Sequence, residues 1–186
     1  EPLLQYTGYV CDEDQSIHTQ KNNNIYVSTG LNKDESVVIF KKIAEIAHHY
    51  PDHKFIMPIA NKYNSVGGRK NKNIYLVEYV PELRNKLVDC AGYITYGGYN
   101  ATVEILQSRV PSIIVPRQSG RKMEQFVRAF TFEPYDFFKV MTMQEFGGIK
   151  SLVDKIISGY KPKPFTYNLQ GTSNTADILS EIYNGL

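Results

Sequence analysis

The sequence predicts an α/β protein with a Rossmann-like, mainly parallel β-sheet and helices on both faces. Apolar runs of strand length alternate with amphipathic runs of helix length along most of the 186 residues. This alternation is typical of parallel sheets. At residues 92–115 the order of strand, glycine turn, helix and strand can be followed residue by residue.

Strands are predicted from short apolar segments, and helices from apolar positions repeated at helical spacing. The predicted strands are residues 25–28, 54–59, 74–80, 92–96, 112–115 and 137–141. The predicted helices are residues 34–50, 81–90, 100–108, 123–130, 143–158 and 175–183. Pro81 suits the first turn of the second helix. Gly147 and Gly148 are expected to interrupt the fifth helix, because glycine is a poor helix former.

Length and composition are those of one domain with a substantial core. We expect a lead-in at residues 1–14, a ligand-binding domain at residues 15–160, and a connector with a final helix at residues 161–186. The first residue is Glu1 rather than a methionine, so we expect the chain to be part of a longer protein.

Composition argues against several classes of partner. The net charge of +2 is too small to indicate nucleic-acid binding. No apolar run is long enough for a membrane span, and the start of the chain has no signal-peptide pattern. Cys11 and Cys90 are too few for a disulfide framework, and we expect reduced thiols in a cytoplasmic protein.

The glycine turn is the most informative motif. Gly97 and Gly98 at the end of a strand let the backbone come close to a ligand. The helix that follows directs its unpaired N–H groups and positive dipole end at the same place, which favours an anion such as phosphate. Glu104 lies about one turn into that helix and suits hydroxyl donors such as a ribose diol. The alternative is an ordinary strand–helix turn of an α/β protein, because a short glycine motif is weak evidence without its context.

These residues resemble the donor-binding C-terminal domain of GT-B glycosyltransferases of family 28, the family of the enzyme that makes lipid II. The resemblance runs from the lead-in at residues 6–10 to about Phe132. Its specific parts are the glycine turn with Asn100 and Glu104, the segment 110–117, and the pair Glu124 and Gln125 with residues 128–129 after it. The implied fold is one half of a GT-B enzyme, with an acceptor domain preceding it.

The resemblance also implies a site for a UDP-sugar at the carboxyl ends of the strands. Its UDP-binding residues would be Ser28, Thr29, Gly30, Tyr79, Val80, Gly97, Gly98, Asn100, Ala101, Thr102 and Glu104. Glu124 and Gln125 match the pair that contacts sugar hydroxyls in this family, where the lipid II enzyme has two glutamines. Glu104 matches the acid that binds the ribose. The catalytic base is expected in the other half of the enzyme.

The implied function is transfer of a hexosyl group, N-acetylglucosamine or a related sugar, from a UDP-sugar to an acceptor. No metal motif or cofactor motif is visible, so backbone N–H groups would meet the charge of the leaving diphosphate. Arg117, Arg121 and Lys122 either add positive charge there or belong to a solvated loop. The expected partners are an acceptor domain or subunit and, through basic residues 69–72, a membrane surface. The isolated domain is expected to be inactive.

Two alternatives remain open. One is a UDP-sugar 2-epimerase, which shares the architecture and a similar glycine turn. That turn normally reads Ser-Gly-Gly with paired acids after it, whereas this chain has Tyr96 before the glycines and residues 100–102 in place of the acids. The other is a non-catalytic nucleotide-sugar-binding subunit that pairs with a separate acceptor subunit.

Overall fold

A computed structural model describes residues 4–11, 22–29, 33–59, 71–117, 123–136, 138–161, 163 and 168–185. These residues form two compact units, one within Ile17–Lys163 and the other within Glu1–Ser16 and Pro164–Leu186. None of the described helices is long and apolar enough to cross a membrane.

The larger unit contains a six-stranded sheet with the order β3-β2-β1-β4-β5-β6. All five strand pairs are parallel. The strands are β1 (Asn24–Ser28), β2 (Lys54–Pro58), β3 (Ile74–Val77), β4 (Gly92–Thr95), β5 (Ser112–Ile114) and β6 (Lys139–Val140). This is the doubly wound order of dinucleotide-binding folds. The predicted parallel α/β sheet is therefore confirmed.

The described residues of this unit form the helices α1 (Lys33–Ile46), α2 (Leu83–Leu87), α3 (Tyr99–Ser108), α4 (Glu124–Phe132) and α5 (Ile149–Ile157). Side chains of α1 and α5 form one buried cluster with alternate strand residues such as Ile25, Val27 and Ile94. Residues between them, such as Tyr26 and Tyr93, point to the opposite face because strand side chains alternate. Buried side chains of α2, α3 and α4 lie outside the first cluster.

Several helix bounds differ from the prediction. The first helix changes to a 3-10 turn at Ala47–His49, where Asn73 donates side-chain hydrogen bonds to the Ala47 and Tyr50 carbonyls. The second begins at Leu83 rather than at Pro81, because Glu82 adopts a left-handed φ of 50°. The fifth begins only after its glycines, which lie in a separate 3-10 turn, Phe146–Gly148.

The smaller unit consists of the described residues 4–11 and helix α6 (Gly171–Asn184). The Tyr9 N–H donates to the Asn168 carbonyl at 2.8 Å, and the Gly171 N–H donates to the Tyr9 carbonyl at 3.0 Å. A Cβ at Gly171 would lie 2.7 Å from the Gly8 and Tyr9 backbone. Because glycine permits this close approach, the helix starts four residues before the predicted Thr175.

Candidate functional site

The strand order reverses between β1 and β4, and this position is where open α/β sheets bind ligands. The two strands pair in register, with Ser28 opposite Thr95. We use the term switch point for the carboxyl ends of these two strands and the residues that follow them, namely residues 28–29 and 96–98. The structure thus brings together two predicted groups that are far apart in sequence. The predicted Gly30 lies outside the described residues.

On the β1 side, both predicted hydroxyls are already engaged within the protein. The Ser28 hydroxyl is hydrogen-bonded to the Tyr93 hydroxyl at 2.8 Å. The Thr29 hydroxyl donates to Ser36 in the first turns of α1, also at 2.8 Å. Tyr93 and Ser36 are both buried. These bonds fix the end of β1, so a ligand would meet a rigid strand end here.

On the β4 side, the glycine turn has a backbone that requires glycine at one of its two positions. Gly97 has a φ of +73°, and a Cβ there would lie 2.6 Å from the Ile114 side chain. Gly98 is the N-cap of α3, and its φ is −59°. Because glycine has no side chain, no side chain of this residue caps the N-terminus of the helix. A Cβ at Gly98 would meet only the far end of the Tyr96 side chain, at 2.9 Å. Of the two glycines in the predicted motif, Gly97 is therefore the one that the backbone conformation requires.

The N-terminus of α3 follows directly from this turn. The Thr102 N–H donates to the Gly98 carbonyl at 2.9 Å, which is the first bond of the helix. The N–H groups that precede it have no intrahelical acceptor and carry the positive end of the helix dipole. Asn100 is exposed and Ala101 is half-buried. Thr102 is buried, with its hydroxyl at 3.4 Å from the Gly97 carbonyl, so its side chain holds the turn in shape.

Glu104 is half-buried on α3, and burial raises the pKa of its carboxyl while the Arg84 guanidinium of α2 opposes the rise. Burial also raises the pKa of the Tyr93 hydroxyl; its hydrogen bond with Ser28 lowers that pKa, and the charge of Glu104 raises it. Glu104 therefore acts electrostatically on the hydroxyl that anchors the end of β1. A carboxylate held at this place at an energetic cost is a candidate for a ligand contact.

Tyr79 and Val80 follow β3, between that strand and α2. Tyr79 is 69% exposed and Val80 is half-buried. The strand ends at Val77 rather than at the predicted Val80, so both residues follow its carboxyl end, and their contact with uracil stays a prediction. The helix that follows them contains Arg84, which acts on Glu104.

Glu124 and Gln125 begin α4, and a third residue of this helix connects it to the glycine turn. Arg128 forms an ion pair with Glu124 and places its Nη1 atom 3.5 Å from the Gly97 carbonyl. Its guanidinium also lies 5.6 Å from the centre of the Tyr99 ring. The Gln125 Oε1 atom is buried and has no hydrogen-bond partner among the described residues. Arg128 thus contacts both Glu124, the first residue of the predicted sugar-contacting pair, and the switch point.

The sequence interpretation gave Arg128 no site role, although the spacing of Glu124 and Arg128 is that of a helical ion pair. Of the basic residues that it did consider, Arg117 is half-buried after β5, and Arg121 and Lys122 lie outside the described residues. Across the described ranges, no group of three or more His, Cys, Asp or Glu side chains is arranged to hold a metal ion.

No protein-family model and no curated protein matches the sequence. Solved structures do match. They include the glycotransferase of kitacinnamycin (TM-score 0.64, 17% identity, 83% of this chain and 41% of that chain). MurG of Acinetobacter baumannii matches with a TM-score of 0.64 and 11% identity over 88% of this chain and 51% of that chain. The UDP-GlcNAc 2-epimerase of Neisseria meningitidis bound to UDP-GlcNAc matches with a TM-score of 0.57 and 13% identity over 87% and 45%.

At these identities the similarity is one of fold. The chain spans about half the length of each of these proteins. The predicted architecture, a Rossmann-like domain corresponding to one half of a GT-B fold, agrees with both the sheet topology and these partial coverages.

Proposed function

We propose that this chain is the donor-binding half of a glycosyltransferase that takes a hexosyl group from a UDP-sugar. The main support is the glycine turn: the left-handed backbone of Gly97 lies at the switch point, directly before the N-terminus of α3. Glu104 and the start of α4 lie beside the same turn. The fold shared with glycosyltransferases and with an epimerase bound to a UDP-sugar is consistent with this ligand class.

In the proposed site the diphosphate binds at the N-terminus of α3, where backbone N–H groups are fixed before the ligand arrives. Such preorganised donors stabilise charge that develops on a leaving group without reorganising. Glu104 would accept hydrogen bonds from the ribose hydroxyls, and the loop at Tyr79 and Val80 would contact the uracil. Glu124 and Gln125 would contact the sugar. In this arrangement the leaving diphosphate needs no metal ion.

The acceptor and its general base would come from outside this chain. General-base assistance contributes about 10²–10⁴-fold and acceptor orientation contributes more, so the isolated chain is expected to transfer sugar at a negligible rate. A radiolabelled UDP-sugar assay with lipid and sugar acceptors checks this expectation. Transfer at the rate of a two-domain enzyme would place the acceptor site within these residues and contradict the proposal.

Calorimetric titration with UDP, UDP-N-acetylglucosamine, GDP and TDP tests the proposed ligand class. We expect binding of UDP and its sugar in preference to the other two nucleotides. If the chain binds none of them, the proposal is wrong. The donor sugar follows from the same titration with other UDP-hexoses.

The shared fold with a UDP-GlcNAc 2-epimerase makes epimerisation the second candidate. Incubation with UDP-N-acetylglucosamine followed by NMR of the sugar protons distinguishes the two functions. Appearance of the 2-epimer would favour the epimerase, whereas an unchanged UDP-sugar that remains bound would favour the donor-binding half.

A further inference from the structure

Arg128 contacts the glycine turn, and its surroundings are unusual for a surface arginine. Only 13% of its side chain is exposed, although its ion-pair partner Glu124 is 73% exposed. The guanidinium lies beside the Gly97 carbonyl and near the face of the Tyr99 ring. The packing of α4 and the glycine turn therefore holds a positive charge where the chain enters α3.

Two features of this contact indicate a ligand role for the arginine. A guanidinium has five N–H donors in a planar fork, and one contact with a carbonyl and one with a carboxylate leave donors for a further anion. The ion pair with Glu124 is largely in solvent on the glutamate side, so exchanging it for another anion costs little.

We infer that Arg128 binds the diphosphate of the donor and that Glu124 holds its guanidinium when no donor is present; this inference rests on the proposed function. On binding, the phosphate oxygens replace the Glu124 carboxylate as partners of Arg128. The carboxylate is then free to accept hydrogen bonds from the sugar hydroxyls. One exchange of partners thus couples occupancy of the diphosphate site to recognition of the sugar.

If phosphate replaces Glu124 as the partner of Arg128, substitutions of Arg128 and of Glu124 should change UDP affinity in opposite directions. Arg128→Gln removes the charge and should weaken UDP binding by about tenfold or more, as expected for a lost charge-assisted contact. Arg128→Lys should recover only part of that affinity, because an ammonium lacks the planar fork. Glu124→Gln removes the competitor for the guanidinium and should therefore tighten UDP binding while reducing the additional affinity for the UDP-sugar.

The experiment is calorimetric titration of the 186-residue chain and these three variants with UDP and UDP-N-acetylglucosamine at low and high salt. Uridine, which lacks phosphate, is titrated by NMR and should bind the wild type and all variants equally. Arg109→Gln is the matched control, because it removes the same charge at the C-terminal end of α3. This end lies about 15 Å along the helix from the proposed diphosphate site, so UDP affinity should be unchanged. Thermal unfolding of each variant reports whether the fold is kept.

Each outcome decides the inference. If Arg128→Gln binds UDP as the wild type does, the inference is wrong while the proposed function stands. If the wild type binds neither UDP nor uridine, both are wrong. Should Arg128→Gln fail to fold, Glu124→Gln still decides, because a merely structural ion pair gives no reason for tighter UDP binding; unchanged or weaker UDP binding by this variant would overturn the exchange.

Discussion

Two strand–helix junctions of this protein share a glycine pair and an acidic residue in the helix that follows, but they differ in backbone conformation and in the pKa shift of that acid. A glycine pair precedes α3 after β4, and a second pair, Gly147 and Gly148, precedes α5 after β6. The sixth residue of each helix is acidic, Glu104 in α3 and Asp154 in α5. One junction lies at the switch point and the other lies beyond β6 at the edge of the sheet.

The glycines differ in what the backbone demands of them. Gly97 combines a positive φ with a position where a Cβ would lie 2.6 Å from Ile114. Gly148 has an ordinary φ of −88° and open space up to Met141, 3.9 Å from its Cβ position. Of these four glycines only Gly97 is required by its backbone conformation, so a glycine pair in a sequence does not by itself indicate a strained turn.

The two acids differ in the sign of their pKa shift. The Tyr50 hydroxyl donates to Asp154 at 2.7 Å and the Lys150 ammonium lies 3.0 Å from it, and these bonds lower the pKa of the Asp154 carboxyl. Burial instead raises the pKa of Glu104. Asp154 therefore connects α5 to the chain at Tyr50, whereas Glu104 is held at an energetic cost beside the switch point. A carboxyl with a raised pKa at this place is a candidate for the proposed ligand contact.

The largest expected effect is on stability at the glycine turn. Gly97→Ala forces a left-handed alanine against Ile114 and should destabilise the protein by about 2–4 kcal/mol, from backbone strain and overpacking together. Gly148→Ala has neither problem and should change stability by about 1 kcal/mol or less. Urea unfolding of both variants measures the difference. Equal losses would mean that the two turns do not differ as described.

The sequence was sufficient for the sheet and for this turn, because both depend on local patterns. Short apolar segments located the six strands that the structure describes, and strand–helix alternation predicted that they are mainly parallel. The bounds near Glu82 and Gly171 could not be predicted, because they depend on a left-handed residue and on a contact with the distant Gly8. The contacts of Arg128 could not be predicted for the same reason: its ring and carbonyl partners are brought to it by the fold.

The second prediction compares the two acids in ligand binding. Glu104→Ala should weaken UDP binding by about 1–3 kcal/mol, the loss expected for charge-assisted hydrogen bonds to ribose hydroxyls. UDP and UDP-sugar should lose equally, because both contain the ribose. Asp154→Ala, the same truncation at the same position of α5, should leave both affinities unchanged. Calorimetry on both variants decides, and an unchanged affinity of Glu104→Ala for UDP would exclude Glu104 as the ribose ligand.

A smaller effect is expected at the start of α4. Gln125→Ala removes an amide whose oxygen is buried without a partner among the described residues. It should weaken UDP-sugar binding by about 0.5–1.5 kcal/mol, the contribution of a neutral hydrogen bond, and spare UDP. Titration of one variant with both ligands measures this. A structural glutamine would lower both affinities together, and that result would refute a sugar contact.

The smallest expected effect is a pH dependence of stability with opposite signs at the two junctions. The carboxyl of Glu104 has a folded pKa raised by burial above its ordinary value of 4.5, so its ionisation disfavours folding. That cost is absent below the unfolded pKa and complete once the pH exceeds the folded pKa. Glu104→Gln should therefore stabilise the protein at neutral pH and give no gain at low pH.

Asp154 has a folded pKa lowered by the Tyr50 and Lys150 bonds below its ordinary value of 3.8. Its ionisation favours folding, and this stability is present above the unfolded pKa and is lost as the pH falls through the folded pKa. Asp154→Asn should destabilise the protein at neutral pH by about 1 kcal/mol or less, given the exposure of the pair, and have no effect at low pH. Urea unfolding of wild type and both variants between acid and neutral pH gives the two differences. If the two variants change stability in the same direction at neutral pH, the opposite environments described for the Glu104 and Asp154 carboxyls are wrong.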